Sequence, residues 1–504
     1  MKPRKIITAT ALGFVLSAVA CGFFPLLWLG FAQGFTAFDA YLPRVIAFTL
    51  LQAFLSTALS LAISLPVARA LARRDFRGRD MLLKLFFLPL ALPAIVAILG
   101  ILGVFSGSIS IYGLHGIVFA HVFFNMPLAV RLILTRLEAI PAENFRLAAQ
   151  LNFSGGDVFR RVEWPQIASA LSGIASLIFL LCTASFAVVL ILGGGPKATT
   201  LEVAIYQSLR LDFDPARASL LALAQLVLCG LLVLAAGRFA TEAQVVPRTV
   251  AKVARYDGKN FWSTLFDGAA IGFAALIVLP PIVSIVLAGL TRIHITETLL
   301  LAIGTSLIIG ASAGCLSLLM GWIFADVAAR QQQGALRATI QFANLAALIM
   351  PPAVLATGWF MALSQVADIS RSAIFLVILL NALMALPFVW SPLYPAITET
   401  YQRYDRLCSS LGLTGFARLA RIELPVLRKP LGLAFLMGVI VSLGDLSAIV
   451  LFGSDKLVTL PALIYRQMGS YRMDDAAGTA LVLAVLCFGL TSLAQKWSAR
   501  HDQA

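Results

Sequence analysis

Charge is scarce in this sequence. Lys, Arg, Asp and Glu together make up 12% of its 504 residues, about half the share of an ordinary soluble domain, too little to cover a water-facing surface. Histidine occurs four times, at His115, His121, His294 and His501, and these are scattered. No cluster of His, Asp or Glu marks a metal or catalytic site. The six cysteines (Cys21, Cys182, Cys229, Cys315, Cys408, Cys487) form no CxxC pair. Most lie in apolar runs and are expected to be small buried hydrophobes. A Gly-Lys-Ser/Thr phosphate loop is also missing. Gly193–Gly195 runs into Pro196 and Lys197 and reads as a helix end with an external turn. Together these absences argue against an enzyme and against any cofactor or metal on this chain.

What remains is apolar. Hydrophobic residues reach 60% and the mean hydropathy is +0.92, for which lipid is the simplest solvent. Spanning helices need about 20 apolar residues each. The best marked runs are Ile46–Ala68, Leu82–Phe105, Leu171–Leu192, Leu220–Ala236, Ala269–Leu290, Leu299–Ala325, Ala373–Trp390, Leu431–Phe452 and Ala477–Ala494. A net charge of +14 raises the question of nucleic acid. The Lys and Arg residues, however, sit in short loops between apolar runs, which is the positive-inside pattern of a membrane protein. Met1–Lys5 is basic and an apolar stretch follows, as in a signal peptide. Apolar character continues past Cys21 through Trp28, so a retained first spanning helix is expected.

The chain repeats itself. Pro127 and Pro387, Leu151 and Leu411, Pro165 and Pro425, and Gly193 and Gly453 each stand 260 residues apart. LPAIVA from Leu92 matches PPAVLA from Pro351 at 259, as do Tyr206 and Tyr465. One offset held over such a stretch implies tandem duplication. The expected fold is all-α and polytopic, with about twelve spanning helices in two six-helix repeats. In the first half the helices fall near 8–32, 45–71, 82–105, 112–136, 168–192 and 217–238. In the second they fall near 265–290, 299–328, 340–365, 373–396, 430–452 and 476–497. This plan gives a first half at 1–240, a cytoplasmic linker at 241–263 and a second half at 264–504. Within the linker, Thr241–Lys259 is polar and carries Arg248, Lys252, Arg255 and Lys259. Arginine and lysine concentrate at the N-terminus and in alternate loops, which puts both termini and the linker in the cytoplasm. The two repeats are then parallel, related by an axis along the membrane normal.

The loop between the fourth and fifth spans of each half is the most informative segment. The first is IPAENFRLAAQLNFSGGDVFRRVEWP, Ile140–Pro165; the second is TETYQRYDRLCSSLGLTGFARLARIELP, Thr398–Pro425. Phe145, Ala148 and Ala149 recur at helical spacing, flanked by Leu147 and Leu151. Ser154, Gly155 and Gly156 break the helix, and a second short helix carries Arg160 and Arg161. Pro165 then opens the next span, where its missing N–H costs nothing. A bare connector is far shorter. An amphipathic helix repeated at one spacing on one membrane face is built to dock into a groove on a partner.

These loops resemble the coupling-loop motif of bacterial binding-protein-dependent ABC importers. That motif has an acidic-Ala-Ala start, a glycine soon after, and an Ile-x-x-Pro-type end. Counting 13 back from the closing proline reaches Gly412 in the second loop and Asn152 in the first. The acidic start is lost, with Arg146 and Arg406 in its place, and Ala148 keeps one alanine. The resemblance assigns ATPase coupling to Glu143, Arg146, Ala148, Ala149, Leu151, Asn152 and Pro165. In the second loop it assigns Arg406, Cys408, Leu411, Gly412 and Pro425. The stretch Leu181–Leu209, LCTASFAVVLILGGGPKATTLEVAIYQSL, followed by DFDPARASLLAL, closely resembles the fused permeases of thiamine and thiamine-pyrophosphate importers. That similarity covers nearly the full chain. Fused ferric-iron permeases share the length and the repeat but match this stretch less well. The resemblance implies a type I permease of the bacterial inner membrane, a periplasmic binding protein, and alternating access driven by ATP. ATP and magnesium then belong to a separate ATPase. Because both loops sit on one chain, two copies of one ATPase suffice.

Polar residues inside spans are costly and often functional. Asp445, in VSLGDLSAIVLFG, is the main acidic candidate for the translocation pathway, and Ser185 is its repeat partner. A carboxylate suits the positive thiazolium of thiamine. Alternatively Asp445 bonds Ser442 or Ser447 and holds helices together. Asn125, Asn344 and Asn381 are expected as interhelical glue, Trp359 and Trp390 as packing or interface anchors. An ion-coupled secondary transporter with two six-helix halves is the rival of another class. It would usually carry several intramembrane carboxylates or histidines, in which this chain is poor. Reporter fusions test the topology: Ser108 and Asp368 are expected to report periplasm, and Arg77, Ser154, Arg248 and Leu413 cytoplasm. A periplasmic signal at Arg248 would overturn the six-plus-six plan.

Overall fold

The computed structural model describes residues 2–32, 41–105, 110–239, 255, 257, 260–330, 334, 336–337, 339–341, 343–344, 351–363, 369–453 and 457–499. Among them there is helix and no strand. The first half contains α1 (Lys2–Ala32), α2 (Tyr41–Arg73), α3 (Arg79–Ala91), α4 (Ala94–Phe105), α5 (Leu114–Glu138), α6 (Ala142–Gln150) and α7 (Gly155–Val158). It continues with α8 (Trp164–Thr183), α9 (Ala187–Leu192), α10 (Leu201–Arg210) and α11 (Pro215–Phe239). The second half contains α12 (Phe261–Leu290), α13 (Glu297–Arg330), α14 (Pro352–Leu363), α15 (Ile369–Ser410) and α16 (Gly415–Arg418). After these come α17 (Leu424–Gly444), α18 (Ser447–Phe452), α19 (Leu460–Gly469) and α20 (Met473–Ala499).

Nine helices among the described residues are long and apolar enough to cross a membrane, or ten if the bent pair α3–α4 counts as one span. Two shorter apolar helices, Leu12–Trp28 and Pro352–Leu363, lie where the first and ninth spans are expected. The expected twelve is therefore not reached by length and composition alone. The ninth expected span lies partly outside the described residues, as do Ser108, Arg248, Asp368 and most of the linker. The linker's last residues already belong to α12.

Three spans expected to be continuous are broken. The third bends by 111° between α3 and α4. Leu92 is extended there (φ −84°, ψ 134°), because the ring of Pro93 excludes the helical conformation at the residue before it. The fifth span stops at Thr183 and restarts at Ala187; the eleventh stops at Gly444 and restarts at Ser447. In the opposite direction, α15 runs on through Pro387, Pro392 and Pro395 and absorbs the start of the second loop. Pro141 keeps α6 separate in the first loop. The matching position in the second is Tyr401, which continues the helix.

The chain packs as two compact units: Met1–Asp39 with Ala204–Leu226 and Gly289–Ala504, and Ala40–Val203 with Val227–Ala288. Packing thus divides the chain differently from the repeat, since the first helix of each half joins the unit built mainly from the other half. In the unit of α2, α5 and α8, α2 turns Thr49, Gln52, Ser56, Ser60, Ser64 and Ala68 inward and Leu51, Phe54 and Leu59 outward. A soluble helix does the reverse. In lipid the outer face must be apolar, and small or hydroxyl residues let helices approach closely. Polar side chains then bond across: Gln52 Nε2 donates to the Cys182 carbonyl (2.9 Å) and Asn125 Nδ2 to Cys182 Sγ (3.3 Å).

The unit of α13, α15 and α17 follows the same rule. A Cβ on Gly438 would lie 3.1 Å from Gly314 Cα, so the α13–α17 crossing depends on glycine. Asn381 Nδ2 donates to Ser442 Oγ (2.8 Å), the bond between helices expected of it. In this unit α1 packs on α14. Trp359 Nε1 donates to the Ala18 carbonyl (2.7 Å), and a Cβ on Gly358 would overlap the Gly22 carbonyl. The Gly358→Val variant is therefore expected to melt well below wild type in detergent. Trp359→Phe loses one hydrogen bond, about 1 kcal/mol, and is expected to melt only slightly lower. A Gly358→Val permease melting like wild type would contradict this packing.

Candidate functional site

Both loops close their helix in the same way. Asn152 N–H donates to the Ala149 carbonyl (3.1 Å) and Phe153 N–H to the Ala148 carbonyl (3.0 Å). In the second loop Gly412 N–H donates to Ser409 (3.3 Å) and Leu413 N–H to Cys408 (2.9 Å). This pair of bonds ends a helix through one left-handed residue. Asn152 has φ 52° and Gly412 φ 61°. Asparagine visits this region more readily than most residues with a Cβ, which explains how it stands where the second loop has glycine. Ser154 then caps α7 in a reciprocal pair with Asp157.

The closing prolines act differently from expectation. α7 and α8 form one continuous helix, as do α16 and α17, so Pro165 and Pro425 do not open separate spans. Each lies just past a π turn, at Phe159–Glu163 and Leu419–Glu423. Proline has no N–H for the carbonyl four residues back. The helix widens ahead of it, and Trp164 N–H and Leu424 N–H reach five residues back, to Phe159 and Leu419.

The residues assigned to coupling separate by exposure. Glu143, Arg146, Ala149, Leu151, Asn152 and Pro165 are exposed, as are Arg406, Leu411, Gly412 and Pro425. Ala148 and Cys408, 260 apart, are buried in their own chain, so their small size serves internal packing. The exposed apolar face is made by Leu147 (56%) with Leu151 (57%), and by Leu407 (46%) with Leu411 (62%). Each pair is four residues apart, on one helix face.

Sequence reasoning passed over the residues that hold the loops. Glu163 and Glu423, each two before a closing proline and 260 apart, are buried. Arg69 Nε, from α2, donates to Glu163 Oε2 (2.6 Å), and Arg69 Nη2 to the Gly155 carbonyl (2.7 Å). Arg255 Nη2 lies 2.6 Å from Glu163 Oε1, and the Arg255 guanidinium sits 4.4 Å over the Phe145 ring. Asp257 pairs with Arg255 (2.9 Å) and Arg73 (3.5 Å). At Glu423 Oε1 the partners are Arg418 Nε (2.9 Å), Arg330 Nη2 from α13 (3.3 Å) and the Tyr401 hydroxyl (3.1 Å). Arg418 also reaches Asp405 (2.6 Å). Burial works against charge on Arg255, but Asp257 and Glu163 outweigh it and hold the guanidinium above its usual range. Burial likewise works against Asp257, and Arg255, Arg73 and Arg69 hold its carboxyl below the usual carboxylate range.

At the other end of α8 and α17 lie the helix breaks. Ser185 and Asp445 occupy them, both half-buried. Asp445 Oδ1 accepts from Ser447 N–H (3.2 Å) and Ser447 Oγ (2.9 Å), and Oδ2 from Ala448 N–H (2.9 Å). Its carboxylate therefore caps α18, and of the two serines considered it uses Ser447. Beyond the breaks, hydroxyls seat the next helices: Thr49 Oγ1 accepts from Leu201 N–H (3.1 Å) and Ser306 Oγ from Leu460 N–H (2.8 Å). Tyr206 and Tyr465, the repeat pair, lie near each other. Arg210 Nη2 donates to the Gly453 carbonyl (2.9 Å) just past α18.

Residues 317–500 match the family model described as binding-protein-dependent transport system inner membrane component. The chain is 44% identical over 489 residues to the thiamine transport system permease protein of Brucella abortus (strain 2308), covering 93% of this chain and 90% of that protein. It is 41% identical over 525 residues to the protein of the same name from Salmonella typhimurium, covering 99% and 98%. The corresponding Escherichia coli (strain K12) protein is 40% identical over 525 residues, with the same coverage of 99% and 98%. Identity of this depth over nearly the whole length establishes that the chain belongs to the thiamine transport system permease family, the inner-membrane components of binding-protein-dependent transport.

Proposed function

We propose that this chain forms the translocation pathway for thiamine and its phosphate esters, delivered by a periplasmic binding protein and driven by two copies of a cytoplasmic ABC ATPase. The observation that carries the ATPase part is the pair of exposed leucine faces, Leu147 with Leu151 and Leu407 with Leu411, each behind the same helix-closing turn. A short exposed apolar helix face is what a groove on a partner takes up. The Lys and Arg bias of the loops favours the cytoplasm for these faces and for both termini. ATP and magnesium act on the partner. The substrate part rests on relatives named for thiamine transport.

The two helix breaks support a cation on the route. Interrupted helices in transporters present free carbonyls at their C-terminal ends, which carry partial negative charge. α8 and α17 stop just before Ser185 and Asp445, where the Cys182 and Ser442 carbonyls already accept from Gln52 and Asn381 and the last-turn dipole remains. In this reading the thiazolium passes near these ends, with Asp445 adding charge to its capping role.

Leu151→Glu combined with Leu411→Glu is expected to leave permease levels unchanged, because both side chains are exposed. Binding-protein-stimulated ATPase activity and thiamine uptake in proteoliposomes should both be lost. Undiminished uptake in that double variant would remove the docking assignment. Ala148→Glu is expected to fail differently, by lowering the amount of folded permease, since a charge would be buried without a partner.

Asp445→Asn keeps an acceptor for the cap while removing the charge. It is expected to slow thiamine uptake, with membrane level and binding-protein affinity unchanged. Normal uptake would leave Asp445 as a cap alone. A cognate binding protein that holds ferric iron, with no thiamine transport, would defeat the substrate assignment.

A further inference from the structure

The linker between the halves has so far figured only as a connector, yet two of its residues are built into the first loop. Arg255 and Asp257 are almost fully out of solvent in their side chains, with 5% and 1% exposed. The repeat explains why. In the second loop Glu423 is met by Arg418, from the same loop. The residue 260 earlier is Val158, which is fully buried and cannot pair with Glu163. The missing guanidinium arrives from the linker as Arg255, 2.6 Å from Glu163. The two loops thus reach the same arrangement, a buried glutamate between a guanidinium from α2 or α13 (Arg69 or Arg330) and a second one. Only in the first loop does the second guanidinium come from outside the loop. Arg255 also lies over Phe145 of α6, so it touches both helices that flank the Asn152 turn. Asp257 extends the contact to Arg73 at the end of α2.

We infer that the linker is a working part of the first coupling loop, and that Arg255 is a positioning residue holding that loop in the geometry through which it receives the ATPase stroke. This rests on the docking role proposed above for the loops. Arg255 touches neither substrate nor nucleotide; it acts through Glu163 and Phe145. Removing Arg255 would leave Glu163 with Arg69 alone and its Oε1 buried without a cation, so that oxygen would draw in water and α6 would lose its seat. The second loop, with its own Arg418, would be untouched. Coupling should therefore fail at one loop of the two.

The test uses the whole permease with its ATPase in proteoliposomes, with the binding protein and thiamine supplied. Arg255→Ala is expected to reduce the stimulation of ATP hydrolysis by loaded binding protein, and the thiamine moved per ATP, by about tenfold. Adding Val158→Arg gives the first loop the arrangement of the second and should restore both to near wild type. A Gly-Ser insertion between residues 247 and 250 lengthens the linker without touching Arg255 and should change neither. Should Arg255→Ala reach the membrane poorly, recovery of level and coupling together by Val158→Arg supports the inference. Wild-type coupling in Arg255→Ala overturns it, and so does a loss that Val158→Arg fails to repair. If the wild-type complex moves no thiamine, the substrate reading fails by itself, because the ATPase readout still reports on Arg255. If hydrolysis in wild type ignores the binding protein, the docking role of the loops fails, and this inference with it.

Discussion

A carboxylate taken out of water is stable as an anion only with cations and donors close by, and this requirement fixes both loops. Glu163 and Glu423 lie at the start of the long helices that follow the loops, and each binds a guanidinium from near the C-terminal end of another long helix, Arg69 of α2 or Arg330 of α13. A loop helix that would otherwise be tethered only at its ends is thereby tied to two spans. A movement of α2 or α13 must then be felt at the loop.

The membrane sets the rest. Helices that face lipid turn leucine and phenylalanine outward, and their close packing comes from serine, alanine and glycine, as along α2 and at the Gly314–Gly438 crossing. Interruptions are then tolerated only where freed backbone groups find partners. Asp445 supplies partners for the first N–H groups of α18, and Thr49 and Ser306 receive the first N–H of α10 and α19. The π turns ahead of Pro165 and Pro425 solve the same problem inside a helix, since a wider turn reroutes the bond that proline cannot donate.

Much of this was legible in the residues. The 260 offset revealed the repeat, and counting back from the closing prolines reached Asn152 and Gly412, the two left-handed residues that end the loop helices. Hydropathy placed the spans but not their breaks. An apolar run such as 168–192 looks the same whether or not the backbone changes direction at Ser185. Composition also could not foresee that α1 and α12 would pack with units built mainly from the opposite half, because nothing local in a helix names its neighbour. The side that Ala148 faces was not legible for a related reason: a small residue on an amphipathic helix suits a close approach on either side, and only the packing shows it buried in its own chain. Glu163 and Glu423 were visible as a repeated pair, but an isolated glutamate in a basic loop looks solvated until its arginines are located.

The central claim is that a buried carboxylate holds each loop to its own half. Hydrogen–deuterium exchange on the assembled permease in nanodiscs, comparing wild type with Glu163→Gln and with Glu423→Gln, tests it directly. The account predicts that Glu163→Gln speeds exchange in Ala142–Val158 and spares the second loop, and that Glu423→Gln speeds exchange from Tyr401 to Arg418 and spares the first. The long helices should keep their protection in both variants. Unchanged exchange in the loops, or a rise spread evenly over the spans, would contradict it.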